Sequence, residues 1–342
     1  MKKFVAAAAL LLVMAAGCKQ EEAAVAPLQV KGTVLYAGEK PFCAKGVSFG
    51  WHNLWPRFYN PGCIGRLASD WGVDIFRAAI GADSHANADN PGCHDGYTGE
   101  KEFALEKLYA LVDGAVEAGV YIIVDWHSHV TRPEEAREFF DEVSRRYADC
   151  PNVIYELFNE PVCESFEAPE RSYADLGSSE AMEAFWLKLK AYSEDLIGVI
   201  TANSHVHPLI LVGCPSWDQR IDLPAAAPVQ GYDNVMYTVH FYAGTHKADL
   251  RERCSEALRA GTPIFISECA CCDASGDGEM DLESWREWDS WATENGVTML
   301  TWSISDKNET CSMFTPEASS EGPWSDDVIK PWGKIVKEWT SK

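Results

Sequence analysis

From Lys45 onward the chain repeats one pattern, a short and almost unbroken apolar run followed by an amphipathic stretch. The runs read KGVSFGW, DIFRAAIGA, YIIVDWHS, NVIYELFNEP, LILVGCP, NVMYTVHFY, PIFISECA and VTMLTWSIS. They are rich in β-branched and aromatic residues and lack the polar alternation of a half-exposed strand, which suits parallel strands buried on both faces. Helical periodicity falls between them, over 101–118, 133–148, 180–200 and 282–295. Strands alternating with helices predict a parallel sheet, and eight such units predict an α/β fold of the (β/α)8 TIM-barrel type, one catalytic domain over 28–342. The first run is not followed by Gly-x-Gly-x-x-Gly, so an open dinucleotide-binding sheet lacks its fingerprint. Residues 28–42 are expected to form a hairpin under the barrel, and 331–339 a closing helix.

Polar and aromatic residues gather at the ends of the runs and not at their starts. Trp51-His52, Arg77, Trp126 to His129, Asn159-Glu160, Trp217, His240 to Tyr242, Glu268 and Trp302 all lie there. In a (β/α)8 barrel those ends carry the active site. Two glutamates stand out: Glu160, between Asn159 and Pro161, and Glu268, which closes the run PIFIS. A pair of carboxylates at strand ends can act as acid/base and nucleophile of a retaining glycosidase. Pro161 is expected to hold Glu160 in extended geometry, and the Asn159 amide to donate to a sugar hydroxyl.

Other residues extend this picture. Arg77 is a cation in an apolar strand and needs a carboxylate, for which Glu268 is the natural partner. His240 and Tyr242, two apart on one strand, point to one side, where the tyrosine hydroxyl can keep Glu268 ionised. Trp217 and Trp302 suit sugar stacking, with Trp51 and Trp55 as further platforms. Lys307 and Glu309 offer hydrogen bonds to sugar hydroxyls. His127 and His129 have a metal-like spacing without an acidic cluster, so His127 is read as directed at the site and His129 as structural or peripheral. Neither a metal nor a cofactor is expected. Each of these residues also has a plain alternative, as core packing or as a solvated charge.

The N-terminus adds a separate signal. Lys2-Lys3, an apolar run over 4–16 and the ending Ala-Gly-Cys18 read as a lipoprotein leader over 1–17, with Cys18 lipidated and 18–27 a tether. The expected location is the bacterial outer membrane or cell surface, with the lipid as the sole membrane contact. The formal charge is −23, which disfavours nucleic acid as a partner. Twelve cysteines in an exported chain predict some disulfides of unreadable connectivity. Cys269, Cys271 and Cys272 lack zinc spacing and are read as disulfides or buried thiols rather than a metal site.

Taken in order, DIFRAAIGA, YIIVDWHSH, NVIYELFNEP, VGCPSWDQR, NVMYTVHFYAGTH, FISECA and TWSISDKNETCSMFTP resemble glycoside hydrolase family 5, specifically its bacterial endoglucanase-like subfamily 2. The resemblance implies a (β/α)8 barrel and retaining hydrolysis of β-1,4-glucosidic bonds; a β-glucan substrate, a monomeric protein and no cofactor are expected. It implies Glu160 as acid/base, Glu268 as nucleophile, and Arg77, His127, Asn159, His240, Tyr242 and Trp302 as the shell around them. It puts Trp217 on the leaving-group side, and Lys307 and Glu309 on the non-reducing side. Two departures are expected to alter the subsites. Cys269 stands where many relatives have tryptophan, and Gly81, tyrosine in some, should leave an open floor. With no carbohydrate-binding module evident, soluble or amorphous glucan is a better substrate than crystalline cellulose. Other family-5 specificities (mannanase, xyloglucanase, mixed-linkage glucanase) remain open, as does an inactive surface glycan-binding protein.

Overall fold

The computed structural model describes residues 25–83, 92–162 and 179–341. The leader, Cys18 and most of the tether lie outside them. A small antiparallel sheet comes first, with β1 (Leu28–Lys31), β2 (Val34–Ala37) and β3 (Lys40–Pro41). The barrel strands follow as β4 (Lys45–Phe49), β5 (Ile75–Gly81), β6 (Tyr121–His127), β7 (Val153–Glu156), β8 (Ile210–Val212), β9 (Val235–Tyr242), β10 (Ile264–Ala270) and β11 (Met299–Ile304). They pair in parallel in sequence order, and β11 closes onto β4. Between them lie α1 (Pro61–Trp71), α2 (Lys101–Ala118), α3 (Pro133–Arg146), α4 (Ser179–Asn203), the short turns α5 (Pro215–Asp218) and α6 (Asp222–Ala226), α7 (Ala248–Arg259) and α8 (Leu282–Asn295). The closing helix is α9 (Pro331–Thr340).

Local chemistry starts and stops these elements. In α1 the Asn60 side chain accepts from the Cys63 N–H, Pro61 takes the first turn, and Gly72 ends the helix at φ 68°. That left-handed setting is one a side chain with a Cβ resists. Every residue of β5, β6, β9, β10 and β11 is buried, as their unbroken apolar runs require.

The hairpin does cover the barrel's lower end. Leu28 and Leu35 share a buried cluster with Ile75, Tyr121 and Ile154 near the strand starts. Large aromatics fill the layer between barrel and helices, where Phe241 stacks on Trp288 with ring centroids 4.0 Å apart. The lower end is thus sealed by apolar packing, and the polar residues are left to the upper end. Among the described residues no helix is long and apolar enough to cross a membrane.

Candidate active site

Glu160 is delivered by irregular backbone just past β7, which stops at Glu156 instead of running on to the Asn-Glu-Pro triplet. Nor is Glu160 extended, as the proline after it leads one to expect. Its φ is 46°, a left-handed setting that costs on the order of 1–3 kcal/mol for such a residue. Tertiary contacts override the local preference. The Glu160 N–H donates to Asp218 Oδ2 at 2.9 Å, and its carbonyl lies 3.3 Å from Nδ1 of His129. The side chain is thereby turned toward His240, with Oε1 3.1 Å from Nδ1.

Glu268 sits inside β10, where the register against β9 shifts between Phe265 and Glu268. Such an irregularity re-aims side chains, and here the consecutive Ser267 and Glu268 both reach the same buried polar cluster. Arg77 Nη1 donates to Glu268 Oε2 at 2.8 Å, and the Tyr242 hydroxyl donates to Oε1 at 2.8 Å. The rest of the guanidinium grips Glu156 through Nε at 2.8 Å, Asn159 Oδ1 at 2.7 Å and Asp125 Oδ2 at 3.0 Å. Arg77 is fully buried, and these carboxylates outweigh the burial that opposes its charge. Sequence reasoning found Glu268 as its partner but missed Glu156 and Asp125, which stand in the quoted runs as ordinary strand acids.

The hydrogen bonds fix a proton inventory. Burial would raise the Glu156 carboxyl, but Arg77 and His240 outweigh it and bring it down to about 2. Glu156 is therefore a carboxylate, and the Ser267 hydroxyl donates to it at 2.8 Å. Ser267 must then accept from His240 Nε2 at 2.9 Å. With Nε2 carrying a proton, His240 Nδ1 and Glu160 Oε1 share a single further proton. Burial opposes the charge on His240, yet Asp218, Glu156, Glu160 and Glu268 pull its proton affinity well up. Burial likewise opposes the charge on Glu160, and His240 outweighs it and draws that carboxyl down. Burial and the Glu160 charge push Glu268 up, while His240, Arg77 and Tyr242 pull it back. Once Glu160 holds the shared proton, its push on Glu268 disappears. Glu268 then remains a carboxylate with a donor on each oxygen.

The cleft above these groups has a volume of about 770 Å³ on one side, lined by Trp51, Trp55, His127, Trp302, Lys307 and Glu309. A second lobe of about 560 Å³ lies on the other side of Glu160, under the 40% exposed Trp217. Trp302 stacks on His127 at 5.6 Å between centroids, and His127 is held through Nδ1 by Asp125 Oδ2 at 2.6 Å. Lys307 and Glu309 form an ion pair. The Asn159 amide nitrogen is buried without a hydrogen-bond partner, an orphaned donor beside Glu160.

Several expectations change. His129 is not peripheral, because it lines both lobes and its Nδ1 lies 3.9 Å from Glu160 Oε2. His52 turns away and accepts from the Gly81 N–H at 3.0 Å. Gly81 does not open the floor, since a Cβ there would meet Asn53 Oδ1 at 2.8 Å and the Trp51 ring at 3.2 Å. Cys269 donates to the Leu300 carbonyl at 3.2 Å within the barrel wall and does not line the cleft. Of the expected disulfides, Cys150 is bonded, while Cys269, Cys271 and Cys272 are free thiols. Burial pushes the Cys271 thiol upward.

Chemically, the site brings an ionised and a protonatable carboxylate together with oxygens within 4.8 Å. His240 lies in the same cluster, so the three side chains are close enough to hold a cation. Arg77 already supplies the positive partner beside Glu268.

The chain is similar to known proteins. A family model described as cellulase (glycosyl hydrolase family 5) matches residues 35–308. Endoglucanase Z of Dickeya dadantii is 32% identical over 319 residues, spanning 91% of this chain and 68% of that protein. Endoglucanase A of Evansella cellulosilytica is 34% identical over 304 residues, 87% of this chain and 56% of that protein. The catalytic domain of Thermobifida fusca endoglucanase Cel5A, solved in complex with cellotetraose, superposes with a TM-score of 0.77 at 27% identity. That match covers 92% of this chain and 97% of the domain.

Proposed function

Because the chain belongs to glycosyl hydrolase family 5, we propose that it is a retaining endo-β-1,4-glucanase that cuts internal bonds of β-glucans. The observation that carries this reading is the pairing of Glu160 and Glu268, with oxygens within 4.8 Å and opposite hydrogen-bond environments. Retaining glycosidases hold their carboxyl groups about 5–5.5 Å apart, and inverting ones about 6.5–9.5 Å. Glu268 attacks the anomeric carbon as a carboxylate, and Glu160 gives its proton to the departing glycosidic oxygen. The resulting glycosyl ester is opened by water, whose proton returns to Glu160 as the water oxygen bonds the anomeric carbon and Glu268 leaves. The Asn159 amide donates to a hydroxyl of the sugar held at the reacting centre. Trp302 and the Lys307–Glu309 pair flank the non-reducing side, and Trp217 the leaving-group side.

The test is release of reducing ends from carboxymethylcellulose, barley β-glucan, xyloglucan and glucomannan, beside Glu268→Gln. Cleavage of glucans that is lost in the variant supports the reading. Cleavage of glucomannan alone would move it to another family-5 specificity, and binding without turnover to a surface glycan receptor.

We further infer export as a lipoprotein anchored through Cys18 at the outer membrane or cell surface, acting as a monomer. Loss of membrane fractionation in Cys18→Ala would support the anchor, and unchanged fractionation would remove it. Sedimentation of the leader-free protein decides the oligomeric state.

A further inference from the structure

Two contacts of Glu160, one through its backbone and one through its side chain, lead to the same buried residue. Asp218 is fully buried in the turn after β8. Its Oδ2 accepts the Glu160 N–H at 2.9 Å and lies 3.6 Å from His240 Nδ1. That nitrogen is the one that shares a proton with Glu160 Oε1. Asp218 Oδ1 accepts the Cys214 N–H at 2.6 Å, so the side chain bridges the ends of β7 and β8. The turn that carries it is strained, because Ser216, Trp217 and Asp218 have φ of 63°, 53° and 59° and none is glycine. Ser216, Trp217 and Gln219 line the cleft but Asp218 does not. Whatever Asp218 contributes reaches the substrate through its neighbours.

We propose that Asp218 is a positioning residue for the acid/base: it pins the Glu160 backbone in its left-handed conformation, and its negative charge sets how firmly the His240–Glu160 pair keeps its shared proton. The proposal rests on the acid/base reading of Glu160.

The charges around the pair single out Asp218. Glu156, 3.8 Å from His240 Nε2, and Glu268 also raise the proton affinity of His240, but both are engaged by Arg77, whereas Asp218 is the largest of the charges acting on it. His129, 3.9 Å from Glu160 Oε2, is a further titratable group beside the pair, and His246 and Tyr242, which line the same lobe, also interact with the Glu160 charge. Asp218 itself is faced by His240, Thr238, the Cys214 backbone and, at longer range, Glu156, and it forms no Lys or Arg ion pair among the described residues. Burial raises Asp218 to about 7 against the pull of His240. Its charge is therefore present above neutrality, where a general acid is about to lose its proton. A negative neighbour favours the protonated pair, so removing the charge lets the proton leave at lower pH.

The experiment compares wild type, Asp218→Asn and Asp218→Ser in two ways. One is kcat/KM against pH on barley β-glucan, and the other is an NMR titration of the His240 ring nitrogens without substrate. Both variants are expected to lower the alkaline limb by about one pH unit and to shift the His240 titration the same way. 2,4-Dinitrophenyl β-cellobioside, whose leaving group departs without a proton, should keep kcat/KM within about twofold at neutral pH. A uniform fall in rate with an unmoved limb and an unmoved His240 titration would reduce Asp218 to a structural tie and overturn the proposal. If wild type cleaves no glucan, the glucanase reading fails separately, and the His240 titration still decides the role of Asp218. Should neither variant fold, wild-type His240 decides alone. A second inflection near pH 7 from Asp218 supports the coupling, and a single-step titration overturns it.

Discussion

Arg77 Nη1 donates to Glu268 Oε2 at 2.8 Å, with both residues buried in the barrel. The same guanidinium answers Glu156 and Asp125, so one cation holds three carboxylates at the bottom of the cleft. Removing one partner of a buried ion pair leaves uncompensated charge and typically costs ~3–5 kcal/mol. Arg77→Met should destabilise by about that amount near neutral pH, read as ΔG from urea unfolding. The sign with pH follows from Glu156. In wild type its carboxyl is drawn from 4.5 down to about 2, so its contribution is present above 4.5 and lost as pH falls toward 2. In the variant these acids stay buried without their cation and their proton affinities rise. The gap between the two proteins should therefore shrink as pH drops below about 5. A gap that does not change with pH would mean that Arg77 acts by packing alone.

On the proposed mechanism, Glu268→Gln removes the nucleophile and should take glucan cleavage below detection, and Glu160→Gln removes the general acid and should lower kcat/KM on glucan by roughly 10²–10⁴-fold. On 2,4-dinitrophenyl β-cellobioside the loss in Glu160→Gln should be far smaller. Equal losses of Glu160→Gln on both substrates would argue against an acid role.

Tyr242 donates to Glu268 Oε1 at 2.8 Å and stabilises the charged form. The wild-type profile should be bell-shaped: activity falls on the acid side as Glu268 gains a proton and on the alkaline side as the His240–Glu160 pair loses one. Tyr242→Phe takes a donor from the carboxylate, so Glu268 holds its proton to higher pH. The acid limb of kcat/KM should move up by about one unit, with the alkaline limb unmoved.

Trp217 is 40% exposed over the second lobe. Trp217→Ala should leave stability within about 0.5 kcal/mol. Loss of an aromatic contact of about 0.5–1.5 kcal/mol corresponds to a KM raised roughly 2- to 12-fold, with kcat little changed. An unchanged KM on long glucans would take Trp217 out of the leaving-group subsites.

Much of the architecture was legible in the chain because periodicity is a local property. Unbroken apolar runs such as DIFRAAIGA read as strands buried on both faces, and β5 is buried throughout. The helices at 101–118 and 282–295 coincide with α2 and α8, where an apolar stripe marks the span and Gly119 and Gly296 stand at the C-terminal caps. Glu160, Glu268, Arg77, His240 and Tyr242 were also legible, since polar residues closing apolar runs have no packing reason to be there. Asp218 was not, because nothing local separates it from the many surface acids, and only the turn after β8 carries it under Glu160.

The chain by itself determined the eight strand–helix units, the polar upper end and the placing of Glu160 and Glu268 at the ends of apolar runs, all of which follow from side-chain pattern over short windows. Tertiary structure alone decided how those groups are tuned. It overrode the extended preference before Pro161 and set Glu160 at φ 46°. It brought His129 to the site and sent Cys269 into the wall. It also gathered Arg77, Glu156, Ser267, His240 and Asp218 from separate strands and loops into one network. Proton affinities depend on distances of a few ångströms between residues far apart in the chain, and those distances exist only once the barrel has closed.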